Sequence, residues 1–271
     1  MSKPSVTYLT VTCNRGAFLQ KNLQEQFLSG HFDLEGIDFS IVIVDDGSAD
    51  GTFDKISGIC NGTAGIPLTY VYMKRRVENH AYSDSTAINT GMTHSFGEFV
   101  YIASSDCYIC NSEVFQRLIN LEENKYMSPH MIRFDQNNSS LYRFCTENWM
   151  DPAACFKFYE DNDIPWGAAY YIRILGTGLI GLRRKTFFDA GGLPALRSIS
   201  GTDKAMGDAL IRGGSKNIDE TASELIVIHF PIPYDIAFVP GPATYLDEHY
   251  TKVDGITVVK DEYLEIHNLI L

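Results

Sequence analysis

Phe39-Ser40-Ile41-Val42-Ile43-Val44-Asp45-Asp46-Gly47-Ser48 is the stretch on which the fold turns. An apolar run of strand length ends in two carboxylates, a glycine and a serine. A buried strand with that ending delivers acceptor oxygens to the carboxyl edge of a sheet, and open α/β sheets bind nucleotides at that edge. Acceptors there suit base N–H groups or ribose hydroxyls and would repel a bare phosphate. The same residues also make an ordinary acidic turn, and the segment alone does not separate the two readings.

Outward from this stretch, strand and helix alternate. Residues 6–12 read as a strand. Residues 17–28 read as a helix, with Phe18, Leu19, Leu23 and Phe27 near helical spacing. A short helix is expected over 52–60, capped by Ser48 or Asp50. Strands follow at 68–73 and 99–103, and helices at 83–95 and 112–121. Such alternation implies parallel strands with right-handed crossovers.

The rhythm breaks near residue 125. Residues 126–165 look like an irregular excursion with short strands. Residues 170–182 predict a strand pair around Gly176 and Gly178, and 185–190 a helix stopped by Gly191-Gly192. A second helix over 203–212 stops at Gly213-Gly214, and 225–229 is a strand. No repeat or low-complexity linker interrupts the chain. One domain over 1–271 is expected: a nucleotide-binding half (1–122), a mixed second half (123–240) and a tail (241–271). The tail is apolar enough to pack on the body or on another subunit, so a homo-oligomer stays open.

Bulk properties narrow the function. The chain has 271 residues, 45% of them apolar, and a net charge of -12. Without a long basic run, that balance argues against a nucleic-acid partner and against adsorption to anionic lipid by charge alone. Arg183-Arg184-Lys185 reads as a solvated helix start or a contact for an anionic acceptor. Met1-Ser2-Lys3-Pro4 runs straight into a strand pattern, without a signal-peptide signature, and no apolar segment is long enough to span a bilayer. Six cysteines without framework spacing fit a reducing compartment. A cytoplasmic location is expected, with peripheral attachment to a membrane left open. Cys107 and Cys110 form a C-x-x-C without a second cysteine or histidine pair nearby, which disfavours zinc.

Several residues could carry chemistry. Thr12, Cys13, Asn14 and Arg15 lie where the first strand meets the first helix, a junction that favours a base or a phosphate or is simply capped by Asn14. No G-x-G-x-x-G follows, so a dinucleotide site is not expected. Asp106 closes the fourth strand after Ser104-Ser105 and so shares the edge of Asp46. Two neighbouring strand ends carrying acids could cradle a magnesium or manganese ion on phosphate oxygens. Asp203 is either a helix N-cap or a general base taking a proton from an attacking alcohol. His229 is either a core histidine or a nitrogen ligand to the same ion, which would favour manganese. Trp166, with Tyr170-Tyr171, either packs in the core or lines a sugar cleft.

Taken in order, these motifs resemble the GT-A fold glycosyltransferases, and among them the large inverting glycosyltransferase family 2. Residues Val6 to Arg15 resemble the family's opening strand and its Thr-Tyr-Asn-Arg-type junction, with Cys13 in the aromatic position. Val44 to Ser48 resembles Val-Asp-Asp-Gly-Ser. Asn79 through Asn89 with Gly97-Glu98-Phe99 resembles the asparagine-rich helix and the approach to the metal motif. Ser104-Ser105-Asp106 falls on D-x-D. The segment from Gly181 to Leu193 resembles the one ending in Gly-Gly-Phe, and Thr202-Asp203 falls on Glu-Asp. The likeness covers roughly residues 4 to 230.

The resemblance implies a Rossmann-like, mostly parallel sheet flanked by helices, with the second half binding the acceptor. It implies a hexosyltransferase that moves one sugar from a nucleotide sugar, most often UDP-linked, to a hydroxyl of a glycan, glycolipid or other acceptor, with inversion. A role in polysaccharide biosynthesis would fit. Thr12 and Asp46 would hold the base, with Asn14, Arg15, Asn89 and Ser105 also at the nucleotide. Asp106, joined by His229, would hold Mn2+ or Mg2+. Asp203 would deprotonate the acceptor, and Trp166 would face it. Two departures stand out: Ser104 replaces the first acid of D-x-D, and Thr202 the acid before Asp203. Without Q-x-x-R-W, one sugar per encounter is expected. Rival readings are a weak or inactive nucleotide-binding scaffold on this fold, a retaining transferase and, last, a nucleotidyltransferase.

Overall fold

The computed structural model describes residues 2–74, 84–123, 125–134, 143–144, 147–148, 151, 154, 157–158, 161, 169–172, 179–194, 206–210, 217–218, 225–229 and 249–271. In chain order, the first half runs β1 (Ser5–Thr12), α1 (Gly16–Leu23), β2 (Asp38–Asp45), α2 (Thr52–Ser57), β3 (Pro67–Met73), α3 (Asp84–Thr93), β4 (Phe99–Ser104), β5 (Cys107–Ile109) and α4 (Val114–Ile119). The second half runs β6 (Lys125–Tyr126), β7 (His130–Phe134), β8 (Ala169–Ile172), β9 (Leu179–Arg183), α5 (Arg184–Asp189), β10 (Asn217–Ile218), β11 (Ile226–His229), β12 (Tyr250–Val253), β13 (Ile256–Val259) and β14 (Leu264–Ile270).

Among the described residues the main sheet has the order β14-β3-β2-β1-β4-β9. Strands β3, β2, β1 and β4 are parallel, and the two edge strands run antiparallel to them. Both faces are apolar, as a parallel sheet between helices requires. One face carries Val6, Tyr8, Phe39, Ile41, Ile43, Phe99 and Tyr101 under Leu19 and Leu23 of α1 and Phe115 and Leu118 of α4. The other carries Leu9, Val11, Val42, Val44, Val100 and Ile102 under Ile88 and Met92 of α3 and Phe187 of α5. This is the expected mixed α/β architecture. Among the described residues no helix is long and apolar enough to cross a membrane.

Two expectations are corrected. The first helix is α-helical only to Leu23 and continues as a π-helical turn, Gln24–Leu28. Asn22 and Gln26 use it to brace β5: the Asn22 amide donates to the Cys107 carbonyl at 2.7 Å, and Gln26 accepts from the Ile109 N–H at 2.9 Å. The strands expected as a pair around Gly176 and Gly178 belong to different sheets. Strand β8 pairs with β7, whereas β9 pairs with β4. Alternation marks a strand but does not choose its partner.

The tail packs on the body. Strands β12 and β13 form a hairpin, and β14 extends the main sheet along β3. A second sheet, β5-β11-β7-β8, starts one tight turn after β4, and β11 lies antiparallel to β5 with His229 opposite Cys107.

Candidate active site

The strand order reverses beside β1. The chain steps outward from β1 to β2 to β3, then returns through α3 on the opposite face to place β4 on the other side of β1. Doubly wound sheets bind ligands at such a switch point, outside the carboxyl ends of the strands. The loops that follow β1 and β4 meet there. The Arg15 guanidinium from the first donates through Nη1 to Asp106 Oδ2 from the second at 2.6 Å.

Asp106 is the centre of the site. Its side chain is only 5% exposed. Ser104 donates its hydroxyl to Oδ1, and His229 Nε2 lies 3.5 Å from Oδ2. Burial disfavours the carboxylate, but Arg15, His229 and the Ser104 hydroxyl outweigh it and hold the carboxyl down at about 2. The second sheet delivers His229 because β11 pairs with β5 immediately after Asp106.

On the other side of β1, Asp46 continues β2. Its N–H donates to the Thr12 carbonyl at 3.0 Å, while the Ser105 N–H donates to the Val11 carbonyl at 3.3 Å. Asp46 and Asp106 therefore follow the two strands that flank β1, whose axes stand about 10 Å apart, twice the spacing of adjacent strands.

The neighbouring carboxylate, Asp45, is structural. It is buried and accepts from the Ser48 N–H at 2.8 Å and from the Tyr70 hydroxyl. Burial raises its pKa, and these hydrogen bonds only partly offset the rise.

Asn14 adopts a positive φ of 52°. Its N–H donates to Ser48 Oγ at 2.8 Å and its side-chain oxygen accepts from the Ala49 N–H at 2.7 Å, clamping the first loop to the second. The N-cap of α2 is Gly51, without a side-chain cap, rather than Ser48 or Asp50; Asp50, one residue earlier, accepts from the Thr52 N–H at 3.1 Å and from the Gly16 N–H at 2.9 Å. Gly16 allows this proximity: a Cβ there would lie 2.6 Å from Thr52 Cα.

Thr12 and Ser105 are fully buried, and neither hydroxyl has a hydrogen-bond partner. Asn89, expected at the nucleotide, makes its hydrogen bonds to backbone. It is completely buried. Its amide donates to the carbonyls of Leu193 at 2.8 Å and Thr257 at 2.9 Å, and its oxygen accepts from the Leu193 N–H at 2.9 Å. With both donors filled by backbone, it ties α3 to the residues after α5 and to β13. Asp203 and Trp166 lie outside the described residues. Met206–Leu210 are helical, and Met206 and Leu210 pack in the core beside α3.

A family model for glycosyl transferase family 2 matches residues 7–173. The chain belongs to that family. Among solved structures, this family 2 chain is similar to the mannosyltransferase PcManGT from Pyrobaculum calidifontis, determined with GDP-Man and Mn2+. The identity is 17% and the TM-score 0.53, over 83% of this chain and 56% of that one. It is also similar to TarS from S. aureus in complex with UDP-GlcNAc, at 15% identity and a TM-score of 0.44, over 84% of this chain and 56% of that one. The chain thus spans just over half the length of each. No curated protein matches the sequence. The first similarity supports the GT-A fold.

The family 2 metal position can be tested on this geometry. Ligands bonded at about 2.1 Å to one ion stand roughly 3–3.5 Å apart, which suits Asp106 Oδ2 and His229 Nε2. Cys107 adds a third ligand atom, the three lying within 4.8 Å of one another. The residues fit a divalent ion. The sequence had pointed to Asp106 and His229 but not to Cys107, whose apparent partner, Cys110, is not in this group.

Proposed function

We propose that the chain is a glycosyltransferase that moves one sugar from a nucleoside-diphosphate sugar, UDP-linked in the first instance, to an acceptor hydroxyl with inversion. The observation that carries this reading is the buried Asp106 carboxylate at the switch point, met by Arg15 and His229, with Asp46 following the strand on the other side of β1. An acid suited to base or ribose donors thus lies about two strand spacings from a cation-binding acid. That separation suits the two ends of a nucleoside diphosphate. The GDP-Man and Mn2+ held by PcManGT set the class of donor to be tested.

Asp46 would accept from the base or ribose, with the clamped loops 12–16 and 45–52 forming the floor. Asp106 and His229 would hold Mn2+ or Mg2+, which would offset charge on the departing diphosphate. Arg15 would add a fixed positive charge at the same rim. The role of Asp203 as general base, and with it the inverting outcome, rests on the family motif. The acceptor is a glycan, a glycolipid or another hydroxyl compound, met by the second half and Trp166.

A thermal-shift screen of nucleoside diphosphates and their sugars, with and without Mn2+, tests the donor site. Asp203→Ala should abolish transfer and keep nucleotide binding; near-parent transfer would remove the base assignment. Product anomer by NMR separates inversion from retention. Ser104, in place of an acid, supports the second reading of a weak scaffold, which nucleotide binding without turnover across a donor panel would favour.

A further inference from the structure

We propose that Arg15 is a resident cation that competes with the divalent metal for Asp106 Oδ2, so that metal binds well only once a diphosphate has drawn Arg15 away. The inference rests on the donor-site reading above and concerns the order in which the site fills.

The geometry places two demands on one oxygen. Asp106 Oδ2 accepts from Arg15 Nη1 at 2.6 Å and is also the oxygen that faces His229 Nε2 at 3.5 Å. The other oxygen, Oδ1, accepts the Ser104 hydroxyl. A metal ligated by Oδ2 and His229 must therefore share an oxygen with a guanidinium. A second carboxylate two residues earlier would supply spare negative charge; Ser104 supplies none. The Arg15–Asp106 pair is neutral, and a divalent ion arriving beside it meets a positive charge at close range in a buried setting.

The same geometry supplies the release. The Arg15 side chain is 25% exposed against 5% for Asp106, so Arg15 is the more open member of the pair. It projects from the loop before α1 at the ligand-binding rim. A diphosphate there offers the planar fork two oxygens at once. Moving Arg15 onto the diphosphate leaves Asp106 negatively charged and its Oδ2 available. Diphosphate and metal then assist each other through Arg15, and each raises affinity for the other by the same factor.

Mn2+ binding, read by calorimetry and by the EPR signal of free ion, tests this on the parent, Arg15→Gln, Arg15→Lys and Asp106→Asn. Arg15→Gln should bind Mn2+ alone at least tenfold more tightly than the parent. Arg15→Lys, which keeps the charge, should stay within about threefold of the parent, and Asp106→Asn should lose the site. In the parent, saturating UDP should raise Mn2+ affinity tenfold or more after correction for Mn2+–UDP in solution, and in Arg15→Gln this gain should shrink. Equal Mn2+ affinity in the parent and Arg15→Gln would overturn the proposal. If Arg15→Gln does not fold, the parent alone decides: no gain with UDP overturns it. UDP binding measured in chelator reports on the donor site separately. Its absence both in chelator and with Mn2+ would sink the donor reading while the Mn2+ comparison of parent and Arg15→Gln still judged Arg15.

Discussion

His229 Nε2 and Asp106 Oδ2 lie 3.5 Å apart because β11 pairs with β5 at the turn that follows β4. The pair joins two sheets, so neither residue reaches the other without the second half of the chain folded. His229→Ala should therefore lower any Mn2+-dependent gain in nucleotide affinity at least tenfold, the lower end of what even supporting residues cost a metal site. Calorimetry with UDP in Mn2+ and in chelator measures it. An unchanged gain would leave His229 as a structural contact of Asp106.

Legibility followed sequence distance. The four central strands were readable because each is apolar on both faces and ends at a polar junction. The acids at 46 and 106 were readable as strand ends for the same reason. Alternation announces parallel strands but not their lateral order, and only the order β2-β1-β4 brings Arg15 to Asp106. Strand β14 was obscure because it is an edge: Ile266 and Ile270 are exposed while Leu264 is buried, which blurs the period-two pattern. The β12–β13 hairpin carries a readable signal. Asp254-Gly255, with φ of 49° and 83°, is the two-residue turn favoured by tight hairpins.

Asn89 shows how far the partners of a polar residue inside a helix pattern can lie. Its three backbone partners lie near residues 193 and 257, out of sight of any local reading. Asn89→Ala should cost about 2–4 kcal/mol, near 1 for each buried hydrogen bond lost, and leave UDP affinity unchanged. Urea melts and calorimetry on one preparation read both. Weaker nucleotide binding with unchanged stability would restore Asn89 to the site.

Tyr70→Phe removes a donor from the buried carboxylate of Asp45. The loss should be roughly 1.5–3 kcal/mol at neutral pH, as for a hydrogen bond to a charged group. Its pH dependence has a definite sign. The folded pKa of Asp45 is already raised above 3.8, and losing the Tyr70 bond raises it further. Stability tied to a raised carboxyl is complete below 3.8 and falls as pH rises through the folded value. The parent and the variant should therefore converge in acid and separate towards neutrality. Melts at pH 4 and pH 7.5 showing a constant gap would disprove the link.

Asp50 starts two helices at once, accepting from the Gly16 N–H of α1 and the Thr52 N–H of α2. Asp50→Ala should cost about 2 kcal/mol, near 1 for each hydrogen bond lost. It should also loosen the loops that carry Arg15 and Asp46, because Gly16 and Thr52 are held in backbone contact through this carboxylate. Amide exchange distinguishes a shared acceptor from a single one. Both amides should lose protection together, and UDP affinity should fall with them. Loss at Thr52 alone would mean that the packing at Gly16 holds α1 without Asp50.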